Sequence, residues 1–163
     1  MNKKWTSLLI LVIAGFVGFY FYDKYHNAPS MDFNKLVLTD LQDQPVKWES
    51  FKGKKILVSF GASWCPNCLD EMKELNDIKE VTLRDVEIII ISDEPLEKIM
   101  SLKERTDYPF TFLKMKQDFN SICIFSIPTS YIVNTKLEIK QETVGYLDWK
   151  DAETAEHLVN LMN

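Results

Sequence analysis

Apolar and polar positions along this chain fall into blocks of different period. "KILVSF" (55–60) and "VEIIIIS" (86–92) are short, continuously apolar runs, the second rich in β-branched residues. Such runs predict strands buried on both faces, as in a parallel sheet. "FTFL" (110–113) and "SYIVN" (130–134) predict two more strands, and "LEIKQETVG" (137–145) returns across 134–136 as a terminal hairpin. From Pro66 to Glu80 the apolar residues are Leu69, Met72, Leu75 and Ile78. A spacing of three keeps them on one stripe of a helix. Leu96, Ile99, Met100 and Leu102 predict a second helix that ends before Tyr108-Pro109. Residues 117–125 predict a turn or two of helix, and a last helix over 149–162 carries Ala152, Ala155, Leu158, Val159 and Met162. Ahead of these, in 33–55, Leu36 and Leu38 alternate with other residues and "DLQDQP" supplies a turn, so a small hairpin is expected. The order β-α-β-α-β-β-α is that of an α/β domain with a parallel core and an antiparallel end.

The N-terminus follows another pattern. Residues 5–22, "WTSLLILVIAGFVGFYFY", make an 18-residue run without charge, preceded by Lys3 and Lys4. A spanning helix needs ~20 apolar residues with a lower limit of ~17. A secretory signal has an apolar region of ~7–15 residues and a small-x-small cleavage site. His26-Asn27-Ala28 is a poor site of that kind, because His26 is large. Phe19, Tyr20, Phe21, Tyr22 and Tyr25 match the aromatic belt of a membrane boundary. The expected division is a cytoplasmic tip (1–4), a transmembrane anchor or uncleaved signal (5–22), a tether around Pro29 (23–32) and a folded domain (33–163). Lys3 and Lys4 stay cytoplasmic by the positive-inside rule, which places the domain outside the cytoplasm. Beyond residue 22 lie 17 of the 19 basic residues and all 24 acidic ones, a net charge of −7. That balance argues against nucleic acid or anionic lipid as a partner.

The candidate chemistry sits in "SWCPNCL" (63–69), between the first buried strand and the first helix. Half a zinc site would need further ligands, and only Cys123, His26 and His157 remain, with no second Cys-x-x-Cys, so no metal site is expected. A c-type haem attachment needs His after the second cysteine, where Leu69 stands. A purely structural disulfide over so short a loop constrains the unfolded chain little. A redox dithiol fits best, since the pair lies between strand and helix in a βαβ context. The residue before a proline avoids the α region, and proline is favoured at the first helical position. Cys65 is therefore expected to cap the helix begun by Pro66, its sulfur facing the free N–H groups of Asn67 and Cys68. Those groups and the helix dipole lower a thiol pKa. Cys65 becomes the exposed nucleophile, and Cys68, three residues on and on the same face, the buried resolving thiol that can close a Cys65–Cys68 disulfide.

"KKILVSFGASWCPNC" resembles the strand–loop–helix of the thioredoxin superfamily, and "FSIPTSYIV" resembles the loop where that superfamily keeps a cis-proline, with Pro128 in the matching place. "VKWESFKGKKILVSFGASWC", with its AhpC/TSA-like N-terminal hairpin, and the extra helix between Glu94 and Thr106 are similar to the membrane-anchored, extracytoplasmic TlpA/ResA-like branch over about 33–163. The resemblance implies a thioredoxin-like fold: a central mixed sheet of about five strands with helices on both faces. It implies a cis peptide at Ile127-Pro128, backbone groups of Ile127 and Thr129 that pair with an incoming peptide, and Trp64 packed beside the dithiol as a shield. It implies exchange with protein thiols and disulfides, mostly as a reductase fed by a transmembrane thiol carrier, with no cofactor beyond the cysteines. An oxidase of the same fold and a non-catalytic binding module are the rivals. A peroxiredoxin-like peroxidase fits less, because Gly61 and Ala62 occupy the approach to Cys65 without the matching Thr.

Two departures from the family pattern stand out. The buried Asp of thioredoxins is replaced by Ser59, which is no base; by resemblance to the branch, Glu94 in "ISDEP" is the expected proton acceptor for Cys68, with Asp93 second. Pro66-Asn67 also differs from the usual pair, which places proline just before the second cysteine, so the family's redox potential does not carry over. Cys123, amid Ile122, Ile124 and Phe125, is expected to be a buried apolar cysteine.

Overall fold

The computed structural model describes residues 3–163, without the side chains of residues 3–8 and of His26. A helix, α1 (Lys3–His26), leads into a 3₁₀ turn (Phe33–Lys35), β1 (Leu38–Thr39), β2 (Pro45–Val46) and a second 3₁₀ turn (Trp48–Phe51). Then come β3 (Lys55–Phe60), α2 (Pro66–Ile78), β4 (Val86–Ser92), α3 (Leu96–Thr106) and β5 (Thr111–Met115). A third 3₁₀ turn (Phe119–Ile122), β6 (Thr129–Val133), β7 (Ile139–Val144) and α4 (Ala152–Leu161) complete the chain.

One mixed sheet runs in the order β2-β1-β5-β4-β3-β6-β7. β3, β4 and β5 are parallel neighbours, and the remaining pairs are antiparallel. The sheet therefore has seven strands, not about five. The N-terminal hairpin adds its two short strands to the β5 edge, with Leu38 opposite Met115 and Thr39 opposite Lys114. The hairpin itself was expected, but its pairing with β5 was not, because a partner so distant in sequence leaves no local trace.

Alternation along the strands sorts the core. Leu57, Ile88, Ile90, Phe112 and Ile132 point to one face, where they bury Met72 and Leu75 of α2, Ile99 and Leu102 of α3, and Ala155 and Leu158 of α4. Ile56, Val58, Phe60, Ile89, Ile91 and Tyr131 point to the other, against Phe33, Trp48, Phe51 and Ile124. Phe33 stacks on Trp48 there, with ring centroids 4.2 Å apart. The expected covering of both faces is thus unequal: α2, α3 and α4 on one side, 3₁₀ turns and aromatic side chains on the other. Handedness explains it. β3-α2-β4 and β4-α3-β5 step in the same direction, and right-handed crossovers place both helices on one face. The return from β5 to β6, carried by the 3₁₀ turn at Phe119–Ile122, and the connection from β2 to β3, which holds Trp48 and Phe51, cross the opposite face.

Among the described residues, no helix is long and apolar enough to cross a membrane. The expected span 5–22 begins with residues 5–8, whose side chains lie outside the described set, as do residues 1 and 2 of the expected tip. In the part described, Leu9, Ile10, Leu11, Val12 and Ile13 are each more than half exposed, so apolar side chains point outward in every direction around α1. The expected tether is laid on the domain. α1 continues to His26, Ala28 and Met31 pack against the core, and the Tyr131 hydroxyl donates to the Pro29 carbonyl at 2.8 Å.

β3 and β4 end, and β6 begins, at one pole of the sheet, where Phe60 lies between Ile91 and Thr129. The loops leaving these strand ends converge there.

Candidate active site

Cys65 sits at the N-cap of α2 in extended conformation, with Pro66 in the first turn. Its sulfur accepts from the Cys68 N–H at 3.2 Å, the contact expected of a cap. The two cysteines form a disulfide with their Cα atoms 5.3 Å apart. Gly61 lies against Cys68: a Cβ there would meet its Cβ at 3.3 Å and Sγ at 3.4 Å. In this oxidised form Cys65 is only 5% exposed, far less than expected of the nucleophile, and Cys68 is 1% exposed. Cys65 is covered because the loop before β6 lies over it, with the Ile127 carbonyl against its sulfur.

That loop carries the cis peptide Ile127-Pro128. The Ile127 carbonyl oxygen lies 3.8 Å from the Cys65 sulfur, a contact with no proton in it while the disulfide is closed. The loop is braced from both sides. The Thr129 hydroxyl donates to the Ser126 carbonyl at 2.7 Å, and the Gly145 N–H donates to the Pro128 carbonyl at 2.8 Å. Thr129 is buried inside the sheet between Phe60 and Val144. Trp64 does not pack as a shield; it is 70% exposed and projects from the pole beside Cys65. Cys123 is also exposed rather than buried, because it ends the third 3₁₀ turn in left-handed conformation (φ 62°), which turns its side chain outward while Ile124 takes the core position.

Glu94, largely buried, grips the loop ahead of the dithiol. Its Oε2 accepts from the Ser63 N–H at 2.6 Å and its Oε1 from the Ser63 hydroxyl at 2.7 Å. Ser92 donates to Oε2 at 3.3 Å, and Lys114 holds the Glu94 carbonyl at 2.8 Å. Asp93 is occupied elsewhere, accepting from the Phe119 N–H at 2.9 Å. Hydrogen bonds to a charged acceptor contribute about 1.5–3 kcal/mol each, so Glu94→Ala is expected to destabilise the oxidised protein by about 3 kcal/mol or more. Urea denaturation checks this; an unchanged midpoint would mean that the loop holds without the carboxylate.

A second carboxylate lies under the dithiol helix. Glu71 is 1% exposed on the inner face of α2, three residues after Cys68. Ser59 and Ser130, paired across β3 and β6, both donate to its Oε1, at 3.3 and 2.9 Å. Burial pushes its pKa up to about 7, against the lowering effect of the Ser130 and Ser59 hydroxyls, the Leu147 backbone and the Trp149 indole. Neither Oε2 nor the indole N–H has a partner in hydrogen-bond geometry. Glu74, one turn on, differs. Burial works to raise its pKa, but Lys150, at 2.8 Å, with Tyr146 and the Trp149 N–H, outweighs that and leaves it lowered.

The AhpC/TSA family model matches residues 26–141. The chain belongs to that family. Among its relatives, the thioredoxin-like protein YneN of Bacillus subtilis is 26% identical over 167 residues, covering 94% of this chain and 96% of the relative. The thiol-disulfide oxidoreductase ResA of Geobacillus kaustophilus is 26% identical over 157 residues, covering 91% and 90%. Two solved structures share the fold. A putative thiol:disulfide interchange protein DsbE from Chlorobium tepidum aligns with a TM-score of 0.68 at 14% identity, over 84% of this chain and 100% of the other. StoA from Bacillus subtilis aligns with a TM-score of 0.56 at 18% identity, over 78% and 95%. Within the AhpC/TSA family this is a thiol–disulfide oxidoreductase of the ResA, thioredoxin-like type.

For this family member, sequence reasoning placed Cys65, Cys68, Ile127 and Pro128 together and missed Glu71. A signal was there. Cys68, Glu71, Met72 and Leu75 follow the i, i+3, i+4, i+7 pattern, so a carboxylate stands on the buried stripe of α2. Ser59, read as the loss of an acid, is the hydroxyl that holds one. Among the described residues, no cluster of His, Cys, Asp and Glu could hold a metal ion.

Proposed function

We propose that the protein is a membrane-anchored, extracytoplasmic reductase of protein disulfides, with residues 5–22 as its anchor. The described part of that run is apolar and outward-facing on all sides, as a helix needs for lipid rather than for a core. Lys3 and Lys4 then hold the N-terminus in the cytoplasm. The observation that carries the chemistry is the Cys65 sulfur held between the Cys68 N–H and the Ile127 carbonyl. A substrate strand entering along Ile127 brings its disulfide onto Cys65, and the exposed Trp64 borders that path.

In the reaction, the Cys65 thiolate attacks one substrate sulfur. A Cys65–substrate disulfide forms, and the other substrate sulfur leaves as a thiolate that takes up a proton. Cys68 then loses its proton and attacks the Cys65 sulfur. The second substrate thiol departs, and two electrons have passed to the substrate. The base for Cys68 is Glu71, buried one turn away on the same face; Glu94 is committed to Ser63 and positions Cys65 through that loop. A transmembrane thiol carrier restores the dithiol.

The direction rests on charge. A strongly oxidising dithiol needs a stabilised thiolate. Among the described residues, the Cys65 sulfur has no hydrogen bond from a cation, and the side chains of Glu71 and Glu94 near the dithiol are carboxylic. A reduction potential near ~−270 mV is expected, whereas one near ~−120 mV would make the protein an oxidase. In cells, Cys68→Ser is expected to accumulate mixed disulfides through Cys65; their absence would favour a binding module without turnover.

A further inference from the structure

We propose that the pole carrying the dithiol faces the membrane, because the anchor helix is latched to the cis-proline loop. Cys65 then works on thiols presented at the level of the bilayer's polar surface. The inference rests on reading residues 5–22 as an anchor.

The latch is formed by the last turn of α1 and Phe125. The Lys24 ammonium lies over the Phe125 ring, 4.1 Å from its centroid, and the Tyr25 ring meets Phe125 edge-on at 6.2 Å. Phe125 stands two residues before Ile127, whose carbonyl touches the Cys65 sulfur. The chain leaves α1 with no slack. Asn27 is tied back to Asp23 by its N–H at 3.1 Å and by its side-chain amide at 2.6 Å, and Pro29 is already fixed to Tyr131. A helix rooted there brings the bilayer to this pole.

The surface of the pole agrees. Beyond α1, the large apolar side chains that are exposed include two aromatics, Trp64 and Tyr146. Trp64 precedes Cys65, and Tyr146 follows the residue bonded to the Pro128 carbonyl, so both stand on the dithiol pole. Rings with a polar tip are the side chains that settle at a membrane–water boundary. The opposite pole is charged: a cavity there is lined by Lys54, Lys55, Lys79, Arg84, Asp85 and Glu87. The six residues of β3 separate the two poles by ~20 Å.

The chain has three cysteines, so Cys65→Ser with Cys68→Ser leaves Cys123, beside the latch, as the only thiol. The full-length protein is labelled there with an environment-sensitive fluorophore and inserted into phosphatidylcholine vesicles whose headgroups carry a nitroxide quencher. A second protein, with Cys123→Ser and Arg84→Cys added, places the same label at the far pole. Quenching several-fold stronger at position 123 than at 84 is expected. Lys24→Ala with Phe125→Ala should bring the two values together. Equal quenching at the two sites, or stronger quenching at 84, in protein that floats with the vesicles overturns the orientation while leaving the anchor intact. A contrast that survives the double substitution overturns the latch as its cause. Protein that does not float with the vesicles overturns the anchor reading and the orientation with it.

Discussion

Cys65→Ser is expected to reduce insulin disulfides no faster than the buffer does, because without the Cys65 thiolate no sulfur at the helix cap can attack. Cys68→Ser should fail differently. It still attacks, so it consumes one equivalent of substrate disulfide and stops as a mixed disulfide, with no second thiol to resolve it. The asymmetry follows from the cap. Only Cys65 has extended backbone and a sulfur turned toward the Ile127 carbonyl, while Cys68 faces inward against Gly61. Turnover by either variant at the wild-type rate would remove these roles, and a stable adduct on Cys65→Ser instead of Cys68→Ser would reverse them.

The other large effect is at Glu71, where pH decides the sign. Its pKa is about 7 in the fold against 4.5 for the free side chain. Below the lower value both folded and unfolded chains hold the proton, and the site costs nothing extra. Between the two values the unfolded chain ionises while the fold keeps its proton, so stability falls as pH rises; above about 7 the full loss is present. A shift of this size corresponds to about 3 kcal/mol. Glu71→Gln retains an acceptor for Ser59 and Ser130 and has no charge to bury. It is therefore expected to match the wild type near pH 4 and to exceed it by about 3 kcal/mol at pH 8. Urea midpoints across that range measure the difference, and parallel profiles would show that burial does not perturb Glu71. If Glu71 is the base for Cys68, the same variant loses the limb of the pH–rate profile near neutrality, whereas Glu94→Gln keeps it. A buried acid with a raised pKa, one turn from Cys68, is a candidate for proton transfer.

Local chemistry accounts for what could be read along the chain. Extended backbone before Pro66, free N–H groups after it and a buried strand ahead of it are properties of neighbouring residues, so the cap and the dithiol were legible in "SWCPNCL". Strands β3 and β4 and helices α2 and α3 were legible for the same reason, since each is a run of one period. Matches to a known pattern added Pro128, which no local rule would bring to Cys65. Three things depended on contacts between distant residues. The hairpin joined the sheet because β5 offered an open edge. Trp64 and Cys123 turned outward, Cys123 because its left-handed backbone leaves the core position to Ile124. The two acids were sorted by what reached them: Ser63 claims Glu94, and the Ser59–Ser130 pair holds Glu71. A carboxylate's role depends on its burial and its donors, and both are set only when strands far apart in sequence close around it.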